Sequence, residues 1–289
     1  MDEKINIQWF PGHMKKAQRM MAENLGMVDA VCEIIDARIA RSSRNPDIDT
    51  IAGGKPRLMI INRRDLADQK VTALWTKYYA EKGIPAIETD SRSGAGTAAF
   101  QNALRSLLKE KIEANARKGQ QGRAIRAMVV GIPNVGKSSF INRVAGRKAA
   151  AASDRPGVTR GKQWISIGKG LELLDTPGIL WPRFETQEQA ENLAFTGAVK
   201  DEIMDTESVA AKLMLRLAAD YPSALTGRYR IEIKPEMNGF DLLQAAARKR
   251  GFLVSGGEAN IERMAAVLLD EFRGGVLGRI SLEKPEDEQ

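Results

Sequence analysis

The chain is poor in sulfur ligands and in imidazole, with one cysteine, Cys32, and one histidine, His13, in 289 residues. A single cysteine excludes an intramolecular disulfide and every multi-cysteine metal site, and a single histidine excludes most zinc centres. Cys32 falls in the apolar run Val28–Ile35 and reads as a small core residue. Also missing is any uninterrupted apolar stretch of the ~18 residues a membrane span needs. The start, Met1-Asp2-Glu3-Lys4, has no basic segment leading into an apolar one, so no secretory leader is read and a soluble cytoplasmic protein is expected. What is present is ordinary for a folded chain: 43% apolar and 28% charged residues, which excludes disorder and fibrous structure. The length allows one large domain or two of common size.

Charge is distributed unevenly. Residues 1–186 carry 31 Lys+Arg against 19 Asp+Glu, or +12, whereas residues 187–289 carry 13 against 18, or −5. A basic front half suits a polyanionic partner, either nucleotide phosphates or an RNA backbone. A solvated basic face would have the same composition.

The first two thirds alternate short β-branched runs with helical patterns, which predicts βαβ units and a mostly parallel sheet with flanking helices. The expected strands are Ala30–Ile35, Arg57–Ile61, Ala86–Glu88, Ala127–Gly131, Gln163–Ile167 and Glu172–Leu174. Phe100, Leu104, Leu107, Leu108 and Ile112 recur at helical spacing, and Met14, Ala17, Met20, Met21 and Leu25 form a similar stripe, read as core packing. After Pro182 the pattern turns helical, with Ser208–Ala219, Phe240–Lys249 and Asn260–Phe272 as amphipathic helices. Two domains are therefore expected, residues 1–186 and an all-helical 187–289, with Lys284–Gln289 frayed.

Gly131-Ile132-Pro133-Asn134-Val135-Gly136-Lys137-Ser138 matches the phosphate-loop pattern G-x-x-x-x-G-K-[ST], and it sits between an apolar strand and a helical run, as that motif requires. Its backbone N–H groups, from Asn134 through Ser139, are positioned to meet phosphate oxygens at a helix N-terminus. Lys137 would reach the β- and γ-phosphates and Ser138 would ligate Mg²⁺. Asp175-Thr176-Pro177-Gly178 ends a strand, where Asp175 can hold Mg²⁺ through water and the Gly178 N–H can face the γ-phosphate. Between the two motifs, Thr159 in Pro156-Gly157-Val158-Thr159 is the natural switch ligand for Mg²⁺.

Asn62-Arg63-Arg64-Asp65 follows an apolar strand and resembles the guanine-reading N-K-x-D motif of regulatory GTPases. Asp65 would accept from guanine N1–H and the N2 amine; adenine lacks that donor pair, so it would leave the carboxylate unpaired and be rejected. Arg63 replaces the motif's lysine, keeping stem and charge but with a planar head. Asp90-Ser91-Arg92-Ser93-Gly94 looks like the loop that closes over guanine O6, with Ser91 and Arg92 against the nucleotide. The base motif precedes the phosphate loop by some seventy residues, the reverse of the usual order, and a circular permutation reconciles the two.

That permuted order, with Ile7–Met14 (IQWFPGHM), Asp36-Ala37-Arg38, Ser42–Pro46 (SSRNP) and Leu173–Pro182 (LLDTPGILWP), resembles the ribosome biogenesis GTPase A family of circularly permuted GTPases. The likeness runs nearly end to end, through Lys249-Arg250-Gly251 and Ser255-Gly256-Gly257. It implies a cytoplasmic GTPase of late large-subunit assembly whose partners are the pre-ribosomal particle and ribosomal RNA, with no DNA and no membrane, and whose helical domain contacts RNA. The family's motifs also imply the site: Asn134 helps hold a K⁺ near the phosphates, and His13 orients or deprotonates water. A small GTPase has a water-orienting glutamine after the DxxG glycine; here Ile179 stands there and cannot hydrogen-bond water, so the K⁺ held by Asn134, or His13, must take over that function. For His13 a structural or RNA-binding role stands beside the catalytic one. A nucleotide-gated RNA-binding switch with negligible turnover is the alternative function, and Asp65 argues against an ATPase.

Overall fold

The computed structural model describes residues 19–120, 122–146, 163–168, 170–178, 180–181 and 184–285. Contacts divide them into two compact units, one within Trp9–Arg183 together with Ser281–Gln289, the other within Phe184–Ile280.

The first unit is built on six strands: β1 (Ala30–Asp36), β2 (Arg57–Asn62), β3 (Ala86–Glu88), β4 (Ile125–Gly131), β5 (Gln163–Ser166) and β6 (Leu171–Asp175). Their order across the sheet is β3-β2-β1-β4-β6-β5. All neighbours are parallel except the β5–β6 hairpin. Parallel neighbours need long crossovers, and these carry helices that cover the sheet. The helices are α1 (Ile48–Ala52), α2 (Gln69–Glu81), α3 (Phe100–Leu107), α4 (Lys109–Arg117) and α5 (Lys137–Ala145). Every residue of β1 is buried, as a central strand covered on both faces demands.

Val31, Met128, Val130 and Leu174 pack with Met21, Ile48 and Ala52. Ile35, Met59 and Ile61 pack with Val71, Trp75 and Tyr79, the inward stripe of α2. Asp68 caps α2, its carboxylate accepting from Lys70 N at 2.7 Å and Val71 N at 3.3 Å. Renumbered from β4, the sheet order is 6-5-4-1-3-2, so the phosphate-loop strand is central although four-tenths of the chain precedes it.

The second unit holds α6 (Gln187–Phe195), α7 (Thr206–Asp220), α8 (Pro222–Tyr229), α9 (Gly239–Lys249) and α10 (Ile261–Arg273). The sequence pattern locates α7, α9 and α10 to within two residues at each end. Leu213, Met214, Leu217, Leu243, Ala246, Leu268 and Phe272 are buried there. Asp205, Asn238 and Asn260 cap α7, α9 and α10, with Asp241 closing a capping box on Asn238. A Cβ on Gly239 would meet Ala211 O at 2.1 Å, so only glycine allows α9 to start this close to α7. Among the described residues no helix is long and apolar enough to cross a membrane.

One group conflicts with this packing. Glu33, in mid-β1 between Met59 of β2 and Val130 of β4, is 2% exposed. Its carboxylate oxygens have no hydrogen-bond partner among the described residues; Arg44 Nε, at 3.5 Å, is an ion pair without hydrogen-bond alignment. Burial pushes its carboxyl from an ordinary 4.5 up to about 7, against the pull of Arg44 and Arg57. The unfolded chain therefore releases this proton at lower pH than the folded one, and stability falls as pH rises from 4.5 to about 7. The loss is on the order of 3 kcal/mol once both states are ionised. Glu33→Gln should be the more stable protein at pH 8 and near parity at pH 5, as read by denaturant titration. Equal midpoints at pH 8 would contradict the buried-charge account.

Candidate functional site

In a parallel sheet all carboxyl ends lie along one edge, and ligands bind where crossovers diverge to either side. Here that point lies between β1 and β4. The edge collects Asp36, Asn62 and Glu88 from β1 to β3, Gly131 from β4 and Asp175 from β6.

The phosphate loop leaves β4 at Gly131 and enters α5 at Lys137. Asn134 (φ 59°) and Gly136 (φ 93°) adopt left-handed backbone, turning successive N–H groups into one concavity. A Cβ on Gly136 would lie 2.4 Å from Asn62 Nδ2, and one on Gly131 would lie 2.7 Å from Ile34 O. Both glycines are thus required by close approach. Val135 is buried, Ser138 half-buried and Ser139 exposed, so the first turn of α5 opens outward from a fixed base.

Lys137 Nζ lies 3.1 Å from Asp175 Oδ1, with the side chains 6% and 1% exposed. The other carboxylate oxygen, Oδ2, is buried without a hydrogen-bond partner among the described residues. Such a buried acceptor, on a carboxylate whose other oxygen pairs with the phosphate-loop lysine, fits a hydrated divalent cation. Thr176 Oγ1 donates to Val129 O at 2.7 Å, fixing the chain that leaves β6. A Cβ on Gly178 would lie 2.9 Å from Pro133 Cα, so the DTPG turn rests directly on the phosphate loop.

The base side is organised by Asn62. Its Nδ2 donates to Val135 O at 2.8 Å, while its Oδ1 accepts from Ser91 Oγ at 2.7 Å, Ser91 N at 3.2 Å and Thr89 Oγ1 at 3.1 Å. Arg63 has φ 60°, and its guanidinium donates to Asn134 O. The arginine thus reaches the phosphate loop despite its bulk. Arg63 Nε also faces Asp36 Oδ2 at 3.8 Å. Asp36 is gripped by Arg38, with Nε to Oδ1 at 3.0 Å and Nη2 to Oδ2 at 2.7 Å. Burial raises the Asp36 carboxyl, but Arg38 and Arg63 outweigh it and hold the group below the ordinary carboxylate range.

Arg64 N donates to Thr89 O at 3.2 Å. Asp65 is half-buried; desolvation and the charge of Asp90 push its carboxyl up. A carboxylate held at that electrostatic cost gains most from paired N–H donors, which is what a guanine edge offers. Arg92 is exposed, and Arg143 of α5 donates to the carbonyls of Ser91 and Arg92. His13, Thr159 and Ile179 lie outside the described residues, as do Met14 and Ala17 of the N-terminal stripe.

A family model described as 50S ribosome-binding GTPase matches residues 126–219. "Ribosome biogenesis GTPase A" of Bacillus cereus is 46% identical over 281 residues, covering 97% of this chain and 95% of that protein. Its Bacillus licheniformis counterpart is 47% identical over 97% and 99%. The chain belongs to the ribosome biogenesis GTPase A family. It is accordingly a GTP-binding, GTP-hydrolysing protein of ribosome biogenesis. The GDP-bound structure of TM YlqF, 28% identical, aligns with TM-score 0.66 over 92% of this chain and 98% of that one. The GNP-bound YlqF crystal structure from Thermotoga maritima gives 0.63 over 94% and 99%.

Sequence reasoning missed Thr89 and Arg143 as members of the site, and it quoted Asp36 and Arg38 only as a likeness. Arg143 carried a signal: it is basic and two turns into the helix that starts at Lys137. Lys137→Met in this GTPase should abolish nucleotide binding and, with nucleotide absent, lower stability by about 3–5 kcal/mol, because Asp175 stays buried and unpaired. Adding Asp175→Asn should recover part of the stability and none of the binding. An unchanged denaturation midpoint for Lys137→Met would refute the pairing.

Proposed function

We propose that this GTPase acts in late assembly of the large ribosomal subunit, in the cytoplasm, binding a pre-ribosomal particle and hydrolysing GTP to GDP and phosphate. The observation that carries the nucleotide half is the junction at Asn62, where one amide ties the guanine motif, the Ser91 loop and the phosphate loop together. The large-subunit half rests on the family description naming the 50S particle and on the +12 charge of residues 1–186. In the helical unit, Arg248, Lys249 and Arg250 are exposed, and Arg263 lies 4.2 Å over the Phe252 ring. A basic cluster around an aromatic ring suits an RNA backbone, and it offsets locally a tail whose net charge is −5.

Asn62, Arg63, Arg64, Asp65, Ser91 and Arg92 would hold the base side. Asn134, Val135, Gly136, Lys137, Ser138 and Ser139 would hold the phosphates, with Thr159 and Gly178 at the γ end. Ser138, Thr159 and, through water, Asp175 would hold Mg²⁺, and Asn134 would hold K⁺. The cations neutralise charge that develops on the phosphate oxygens. His13 would orient the attacking water, the function a glutamine serves elsewhere.

The test is phosphate release with and without purified large subunits, in K⁺ and in Na⁺ salts at one ionic strength. Large subunits should accelerate release, K⁺ should exceed Na⁺, and His13→Ala should lose the acceleration while still binding GTP and subunits. Subunit binding without acceleration would instead favour a nucleotide-gated RNA-binding switch. Normal acceleration in His13→Ala would leave that residue a structural one.

A further inference from the structure

The chain leaves the helical unit at Ile280, and the residues that follow belong to the sheet unit. They are seated there by a set of polar contacts on either side of the buried Leu282 side chain. Ser281 Oγ accepts from Asp68 N at 3.1 Å, and Leu282 N donates to Arg38 O at 2.8 Å. Glu283 O accepts from Trp75 Nε1 at 3.2 Å. The Glu283 carboxylate, 1% exposed as a residue, accepts from Arg41 N at 2.7 Å, from Ser42 N at 3.0 Å and from Ser42 Oγ.

A buried carboxylate that accepts from two backbone N–H groups and a hydroxyl of one loop constrains that loop's geometry, where an apolar side chain would merely fill space. That loop, residues 37–45, lies in the connection from β1 to α1. Its Ser43 Oγ accepts from Asp36 N at 2.9 Å, and its Arg38 grips the Asp36 carboxylate. Asp36 in turn faces Arg63, whose guanidinium donates to the phosphate-loop carbonyl of Asn134. The route from Glu283 to the phosphate loop runs through hydrogen bonds and charged contacts within 4 Å, joined between Ser42 and Arg38 by the backbone of the loop itself.

We infer that Glu283 is a positioning residue of the nucleotide site: it fixes the 37–45 loop, and through Arg38 and Asp36 it sets where Arg63 sits against the phosphate loop. The inference rests on reading that site as one for a guanine nucleotide. Because Ser281 directly follows the helical unit in the chain, whatever displaces the tail also loosens nucleotide binding, and nucleotide reciprocally holds the tail.

The experiment is a double-mutant cycle on the full chain, read as GDP affinity by direct titration, with ADP as the control ligand. Glu283→Ala should weaken GDP binding about tenfold, the scale of one lost charge-assisted hydrogen bond. Arg63→Ala should weaken it comparably, and the double variant should bind no worse than Arg63→Ala alone, because both substitutions act on one path. Glu283→Gln, which retains one acceptor oxygen, should fall between wild type and Glu283→Ala, and it replaces the alanine variant in the cycle if that one does not fold. Wild-type affinity in a folded Glu283 variant, or losses that add in the double, would overturn the inference. Wild-type protein that binds ADP as well as GDP would overturn the guanine reading instead, a separate result visible before any variant is made.

Discussion

The nucleotide site depends on one buried side-chain amide. Asn62, 1% exposed, spends its N–H on the phosphate loop and its oxygen on Thr89 and Ser91. Three segments far apart in sequence meet on that group. A buried amide with fewer partners would carry an unsatisfied donor or acceptor at about 1–3 kcal/mol, so the arrangement is held by the cost of its alternatives. Gly136 belongs to the same constraint, because only a residue without Cβ leaves room for the Asn62 nitrogen.

The inverted order of the motifs matters little to this physics. The site is defined by which strands are neighbours, β2-β1-β4-β6, and by all four being parallel. Their carboxyl ends share one edge wherever the chain begins. What the permutation does change is which connections are covalent. The base motif belongs to the first half of the fold, and the chain runs from the DTPG turn on β6 into the helical unit. The tail then returns to the loop beside Asp36, so both ends of the helical unit continue into chain that serves the nucleotide site.

Much of this was legible in the residues. The strand β3 was located to the residue, and the other five to within two residues at either end, because β-branched runs bounded by turn residues leave little freedom. The phosphate loop and the DTPG turn were legible because their motifs place Gly131, Gly136 and Gly178 where a Cβ would collide with a neighbouring segment. Glu33 was not: in a strand covered on both faces there is no alternation to betray a charge in the wrong place, and it hid inside an apolar run. Glu283 was equally invisible, since a glutamate ahead of a polar, acidic terminus gives no local sign that it is buried against a loop 241 residues earlier. Helix α2 went unread, although Val71, Trp75 and Tyr79 recur four residues apart behind Asp68 as its cap.

The central claim is that a motif placed before the phosphate loop reads guanine through Asp65. Exchanging that carboxylate for an amide tests it most directly, because xanthine carries a carbonyl where guanine carries its N2 amine. Asp65→Asn should lose GDP affinity and gain affinity for xanthosine diphosphate in parallel titrations, with the fold and the Lys137–Asp175 pair unaltered. Undiminished GDP binding by Asp65→Asn, with no gain for xanthosine diphosphate, would contradict the account.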